Sequence, residues 1–159
     1  MLSKAFYNVN VLFVNVFKYE HTASELWEGD CLASLSSTTV ENGKQTTIDA
    51  RRQEQRFAVV RDEQPLLETD ACVGSYAYWD RQRIQRDALM NPQTGEIDPV
   101  QVNQLGNKPL PRVGASAQAL EIDSESARIR LWYSEAGEWL ALETETEDQP
   151  ILYLNETLL

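Results

Sequence analysis

The chain has 159 residues, 42% hydrophobic and 25% charged, a balance that suits one compact globular domain over residues 1–159 and argues against wholesale disorder. Its 14 Lys and Arg against 25 Asp and Glu give a formal net charge of -11, a surface that repels phosphate at long range. Nucleic acid and anionic membranes are therefore poor expected partners, and the two loose arginine groups, Arg51, Arg52, Arg56 and Arg61, then Arg81, Arg83 and Arg86, read as solvated faces, with a local anion site as the alternative.

Lys4 and the apolar run through Phe17 superficially resemble a secretory leader. Asn8, Asn10 and Asn15 interrupt that run, and no small-residue cleavage site follows it. The run also falls short of the roughly 20 apolar residues that span a bilayer. It reads as a strand over Phe6 to Tyr19, with no targeting segment and no membrane span.

A second strand is expected over Glu20 to Trp27, turning at Glu28-Gly29-Asp30. Cys31 to Thr38 returns, with Leu32 facing opposite Cys31, Ala33 and Leu35. Asn42-Gly43 is the strongest hairpin signal in the chain, because that pair suits a type I′ turn. Thr46 to Arg52 and Arg56 to Val60 continue the meander, and Asp62-Glu63-Gln64-Pro65 closes it.

The middle departs from this pattern. Asp80 to Met90 reads as one short helix, with Asp80 as N-cap and Ile84, Ala88 and Leu89 on its inner stripe, ending before Asn91-Pro92. Asn91-Pro92-Gln93-Thr94-Gly95 is a tight turn that feeds a strand from Glu96 to Val102, and Gly106 to Gly114 is a loop. Ala117 to Asp123, Ala127 to Tyr133, Trp139 to Thr146 and Ile151 to Leu154 complete the strands, with a turn through Gly137. The expected fold is all-β and mainly antiparallel, with about nine or ten strands and one short helix near 80–90. That many strands curl into a half-barrel or barrel rather than lie flat.

Cys31 and Cys72 make either one disulfide in an oxidising compartment or two buried thiols in a reducing one, and the reading leans to free thiols. No Gly-rich phosphate loop, Cys-x-x-Cys or His-Glu-x-x-His is present, and the single histidine, His21, excludes a site with two or three imidazole ligands from one chain. Neither a metal nor a cofactor is expected. The acidic run Glu143 to Asp148 lacks calcium-loop spacing and reads as a solvated strand edge and turn.

His21 is the candidate catalytic residue, since an imidazole titrates near neutrality. Strand alternation places it on one face with Tyr19 and Ala23, while Glu20, Thr22 and Ser24 take the other. Any carboxylate partner must then come from another strand. The alternative for His21 is a hydrogen-bonded structural or exposed residue. The aromatics Trp27, Tyr76, Tyr78, Trp79, Trp132, Tyr133, Trp139 and Tyr153 either fill a small β-core or line the hollow of a curved sheet. The candidate ligand-binding set is Tyr19, Trp27, Tyr78, Trp79, Asp80, Asn91, Trp132, Tyr133 and Trp139.

Tyr19-Glu20-His21 with Glu25-x-Trp27 and Gly29, Thr38 to Gly43, Tyr78-Trp79-Asp80, Asn91-Pro92-Gln93-Thr94-Gly95, and Leu131-Trp132-Tyr133 with Gly137-x-Trp139 resemble an uncharacterised bacterial family, DUF6134. That family is loosely similar to the β-rich DUF3108 proteins. The resemblance spans about residues 10 to 155, and its most specific parts are the Asn-Pro-Gln-Thr-Gly turn and the Leu-Trp-Tyr hairpin. It implies a β fold, and it brings no assigned activity with it, so its motif residues are candidates without assigned roles. Members typically look exported, which implies a periplasmic or exported protein if the sequence is a piece of a longer chain, and a cytoplasmic one as it stands.

The leading functional expectation is a β-domain that holds an apolar or lipid-like small molecule in a curved-sheet cavity. The second is a small acid–base enzyme, an isomerase, cyclase or lyase, with His21 as base and Tyr78, Asp80 or Asn91 positioning the substrate. The third is an interaction module that forms a homodimer through an unpaired sheet edge.

Overall fold

A computed structural model describes residues 2–11, 14–125, 127–144 and 151–155, with side chains from residue 18 onward. The strands are β1 Leu2–Val11, β2 Val14–Glu28, β3 Cys31–Glu41, β4 Lys44–Gln53, β5 Arg56–Arg61, β6 Gln64–Thr69, β7 Gly74–Ser75, β8 Ala88–Met90, β9 Ile97–Pro109, β10 Ser116–Ser124, β11 Arg128–Tyr133, β12 Trp139–Thr144 and β13 Ile151–Leu154. They form a six-stranded sheet in the order β1-β2-β3-β4-β5-β6 and a seven-stranded sheet in the order β13-β12-β11-β10-β9-β8-β7, the latter curled as a half-barrel. The all-β, mainly antiparallel expectation holds. The acidic run Glu143 to Asp148 lies outside the described residues beyond Thr144.

The chain divides into two compact units, Met1–Ser75 with Met90–Ile97, and Tyr76–Leu89 with Asp98–Leu159. In the first, glycine or asparagine takes positive φ in the β2–β3 and β3–β4 turns, Gly29 at 58°, Asn42 at 50° and Gly43 at 84°, while Glu54, Asp62 and Glu63 do so in the next two turns. The core of this unit is Leu32, Leu35, Ile48, Ala50, Phe57, Val59, Val73 and Met90. Leu32 and Leu35 both point into it, against the expectation that they face opposite ways. A register shift opposite Leu26/Trp27 inserts one extra residue into β3, so Trp27 pairs with Leu32 but Leu26 pairs with Ser34. This β-bulge reverses the alternation and brings Leu35, Ser37 and Thr39 to the buried face.

The second unit buries both faces of its sheet. Leu120, Leu131 and Leu142 stand in register across β10, β11 and β12 on one face, with Ile84, Leu89, Ile122 and Tyr133. On the other face Trp132 stands between Ala119 and Ala141, and small neighbours on both sides make room for the indole.

Three further expectations are corrected. The expected strand Phe6 to Tyr19 is not one strand: β1 ends at Val11, and β2 starts at Val14, pairs antiparallel with β1 and runs unbroken through to Glu28. No helix occurs among the described residues, so the short helix near 80–90 is absent. Asp80 does cap a turn, its Oδ1 accepting from the Gln82 N–H at 3.0 Å, and the Arg83 N–H donates to the Asp80 carbonyl at 3.1 Å. Only Ile84 is apolar between Asp80 and Asp87, too little for a buried stripe, and Ala88–Met90 instead extends into β8. Finally, Cys31 and Cys72 are joined in a disulfide, which overturns the free-thiol reading.

Candidate functional site

Along β2 the alternation places Tyr19, His21, Ala23, Glu25 and Trp27 toward the core side, while Lys18, Glu20, Ser24, Leu26 and Glu28 are exposed. His21 is buried, and its Nδ1 shares a hydrogen bond with Thr39 Oγ1 at 2.8 Å. Thr39 is its cross-strand partner in β3. Burial lowers the pKa of the imidazole, because charging a ring removed from water is costly. The Tyr19 ring stacks beside His21 with centroids 6.4 Å apart. Burial, with the nearby Glu41 carboxylate, raises the Tyr19 pKa to about 12.

The same face carries a buried acid. Glu25 accepts from Ser75 Oγ at 2.7 Å through one oxygen and from Trp27 Nε1 at 3.0 Å through the other. Ser37, also buried, donates to the Pro92 carbonyl at 2.5 Å. The buried polar side chains among the described residues, His21, Glu25, Ser37, Thr39 and Ser75, all belong to the first unit. His21 and Glu25 are four residues apart on an extended strand, about 13 Å, so they do not form one acid–base pair. Each is satisfied by its own hydroxyl partner.

Pro92 belongs to the Asn91–Gly95 turn, which lies against this face. The Asn91 carbonyl accepts from the Gly95 N–H at 2.8 Å, and Asn91 Oδ1 accepts from the Gln93 N–H at 2.9 Å. Gly95 is buried with φ 78°, and a Cβ there would lie 3.0 Å from Leu66 Cδ2 and 3.1 Å from Ile48 Cδ1 and Val59 Cγ1. The turn is therefore a plug for the sheet, and Asn91 acts as its internal brace.

The remaining candidates lie in the second unit. Tyr78 gathers two rings, Trp79 at 5.3 Å and Trp139 at 5.0 Å between centroids, and all three are half-buried. Tyr133 is fully buried and donates its hydroxyl to the Tyr78 carbonyl at 2.7 Å. Burial raises the pKa of Tyr133 and of Tyr78. Asp80 pairs with Arg83 at 3.0 Å. Trp132 is buried on the opposite face of β11 from Tyr133, so these two neighbours do not share a surface.

The candidates thus fall into groups. Tyr19 and His21 meet, Trp27 meets Glu25, and Tyr78, Trp79, Trp139 and Tyr133 meet, with Asp80 at the following turn. The sequence reading missed Glu25, Ser37, Thr39 and Ser75. Alternation did carry a signal for Glu25, which falls in phase with Tyr19, His21 and Ala23.

A cavity of about 240 Å³ in the first unit is lined by Glu28, Cys31, Leu32, Arg52, Asp70 and Cys72, none of them among the candidates. No group of three or more His, Cys, Asp or Glu gathers as metal ligands among the described residues. Nor is any described helix long and apolar enough to cross a membrane.

The chain belongs to the family described as Domain of unknown function (DUF6134), whose model matches residues 1–154. No curated protein and no solved structure matches it.

Proposed function

We propose that this DUF6134 member acts as one non-enzymatic β-domain that binds an apolar or lipid-like small molecule through Tyr78, Trp79 and Trp139. The observation that carries the reading is the cluster itself, three touching rings that are neither fully buried nor free in solvent. Half-buried aromatics offer a large apolar area at low conformational cost.

Tryptophan fluorescence tests this reading. Titration with a neutral monoacylglycerol below its micelle concentration should give a saturable blue shift. Trp79→Ala should weaken the response, whereas Trp27→Phe, in the other unit, should leave it unchanged. A flat or non-saturating titration of the unaltered protein refutes the reading.

One observation favours the enzymatic alternative. Burial keeps His21 neutral near pH 7, the form a general base requires. Its hydrogen bond to Thr39 and its distance from Glu25 make the structural role the better supported one.

A further inference from the structure

The Cys31–Cys72 bridge is placed where a reagent can reach it. Cys72 is exposed and Cys31 half-buried, and both line the cavity of about 240 Å³. The wall beside the bridge is held independently of it. Arg52 donates through Nη2 to the Ala71 carbonyl and through Nη1 to the Gln55 carbonyl at 3.3 Å, with its guanidinium 5.5 Å from the centre of the Phe57 ring. On the other side of Cys72 the Leu32 N–H donates to the Val73 carbonyl at 2.8 Å. Opening the bridge therefore leaves both cysteines anchored by neighbouring hydrogen bonds, in position to close again.

We propose that this cavity is a thiol–disulfide exchange site for small neutral or cationic thiols, with attack at Cys72. The incoming thiolate bonds to Cys72 Sγ as the Cys31–Cys72 bond breaks, and Cys31 departs as a thiolate that takes a proton from water. A second thiolate of the same kind then attacks the mixed disulfide. That step releases Cys72 reduced and carries the two electrons' balance away as the oxidised thiol, so no other reductant is required. Access selects Cys72 as the sulfur attacked. Arg52 in the cavity wall stabilises the departing thiolate. The exposed carboxylates Glu28 and Asp70 outnumber that one cation in the lining and turn away anionic thiols, as does the net charge of -11.

Peptide mass spectrometry after acid quenching tests the site on the folded protein. Exchange rates with cysteamine, 2-mercaptoethanol and mercaptoethanesulfonate would each be divided by the rate on the urea-unfolded chain. Mixed disulfide should form on Cys72 under native conditions, with cysteamine favoured over the sulfonate by about fivefold at low salt. The double variant Glu28→Gln, Asp70→Asn, altered only at exposed side chains, should lose most of that preference. Adducts that form only after unfolding, that form chiefly on Cys31, or that show the reverse order of thiols would each overturn the proposal.

Discussion

Ser75 donates its hydroxyl to Glu25 at 2.7 Å across a sequence separation of 50 residues, and both side chains are buried. A buried carboxylate is tolerated only where donors replace the water it has lost. Two of the donors here are Ser75 and the Trp27 indole. Ser75→Ala removes one of them and leaves an acceptor short in a dry place. It should lower stability by about 1–3 kcal/mol in urea unfolding, and Glu25→Leu in the Ser75→Ala background should restore part of that loss. A neutral outcome for Ser75→Ala would mean that Glu25 is hydrated.

Gly95 and Gly43 offer a matched pair. Both have positive φ, 78° and 84°, so alanine at either position bears the left-handed conformation, about 1–2 kcal/mol. Around Gly43 there is open space, whereas a Cβ at Gly95 would press on Leu66, Ile48 and Val59. Overpacking a tight core adds about 1–3 kcal/mol. Gly95→Ala should therefore cost about 2–5 kcal/mol against about 1–2 kcal/mol for Gly43→Ala, read as the difference in urea midpoints at equal m. Equal costs would detach the Asn91–Gly95 turn from the core.

How far these features can be read in the sequence depends on their range. The turns at Gly29, Asn42-Gly43 and Gly137 and the strand Ile151–Leu154 are local, set by residues that tolerate positive φ and by short apolar runs, and they appear where expected. The closing turn expected over Asp62 to Pro65 overlaps a strand, since β6 starts at Gln64. A proline missing its N–H is acceptable there because β6 is the edge strand and Pro65 sits at a register shift. The bulge in β3 has no comparable signal. Without it His21 would pair with Thr38, and with it the partner is Thr39, so one inserted residue decides which hydroxyl reaches the imidazole. The disulfide and the Ser75–Glu25 bond join residues 41 and 50 apart, and no local preference encodes such pairings.

The buried imidazole gives the first unit a pH dependence. Burial lowers the folded-state pKa of His21 below the ordinary value of about 6.5, so in the interval between the two the unfolded chain binds more protons. His21 then adds to stability above about pH 6.5, and this contribution falls away with acidification until the folded pKa is reached. Thermal or urea unfolding of the protein against His21→Gln should show a pH-dependent difference confined to that window. NMR titration of the imidazole should give a midpoint under 6.5; a midpoint at or above that value removes the argument.

The bridge between Cys31 and Cys72 ties together residues 41 apart in sequence. Loop-closure entropy in the unfolded chain makes such a link worth about 4 kcal/mol. The double variant Cys31→Ser, Cys72→Ser should lose about that much, with its urea slope raised because its unfolded state is more expanded. A loss well under 1 kcal/mol would mean that the unfolded chain already holds these segments together.

Trp132 tests the second unit. Its indole stands between Ala119 and Ala141 with Leu110 and Ala117 around it, on the face of β11 opposite Leu131 and Tyr133. Truncation leaves a hole that alanine neighbours are too small to fill, so Trp132→Ala should cost about 3–5 kcal/mol. Ala141→Leu attacks the same arrangement from the opposite direction by asking for volume the indole already takes, and should cost about 1–3 kcal/mol. Combining the two swaps large for small across adjacent strands, so the leucine can grow into the space the indole vacates. The double variant should then be more stable than the sum of the single losses implies, a coupling of about 1 kcal/mol or more in a double-mutant cycle. Strict additivity would show that Trp132 and Ala141 do not share that space.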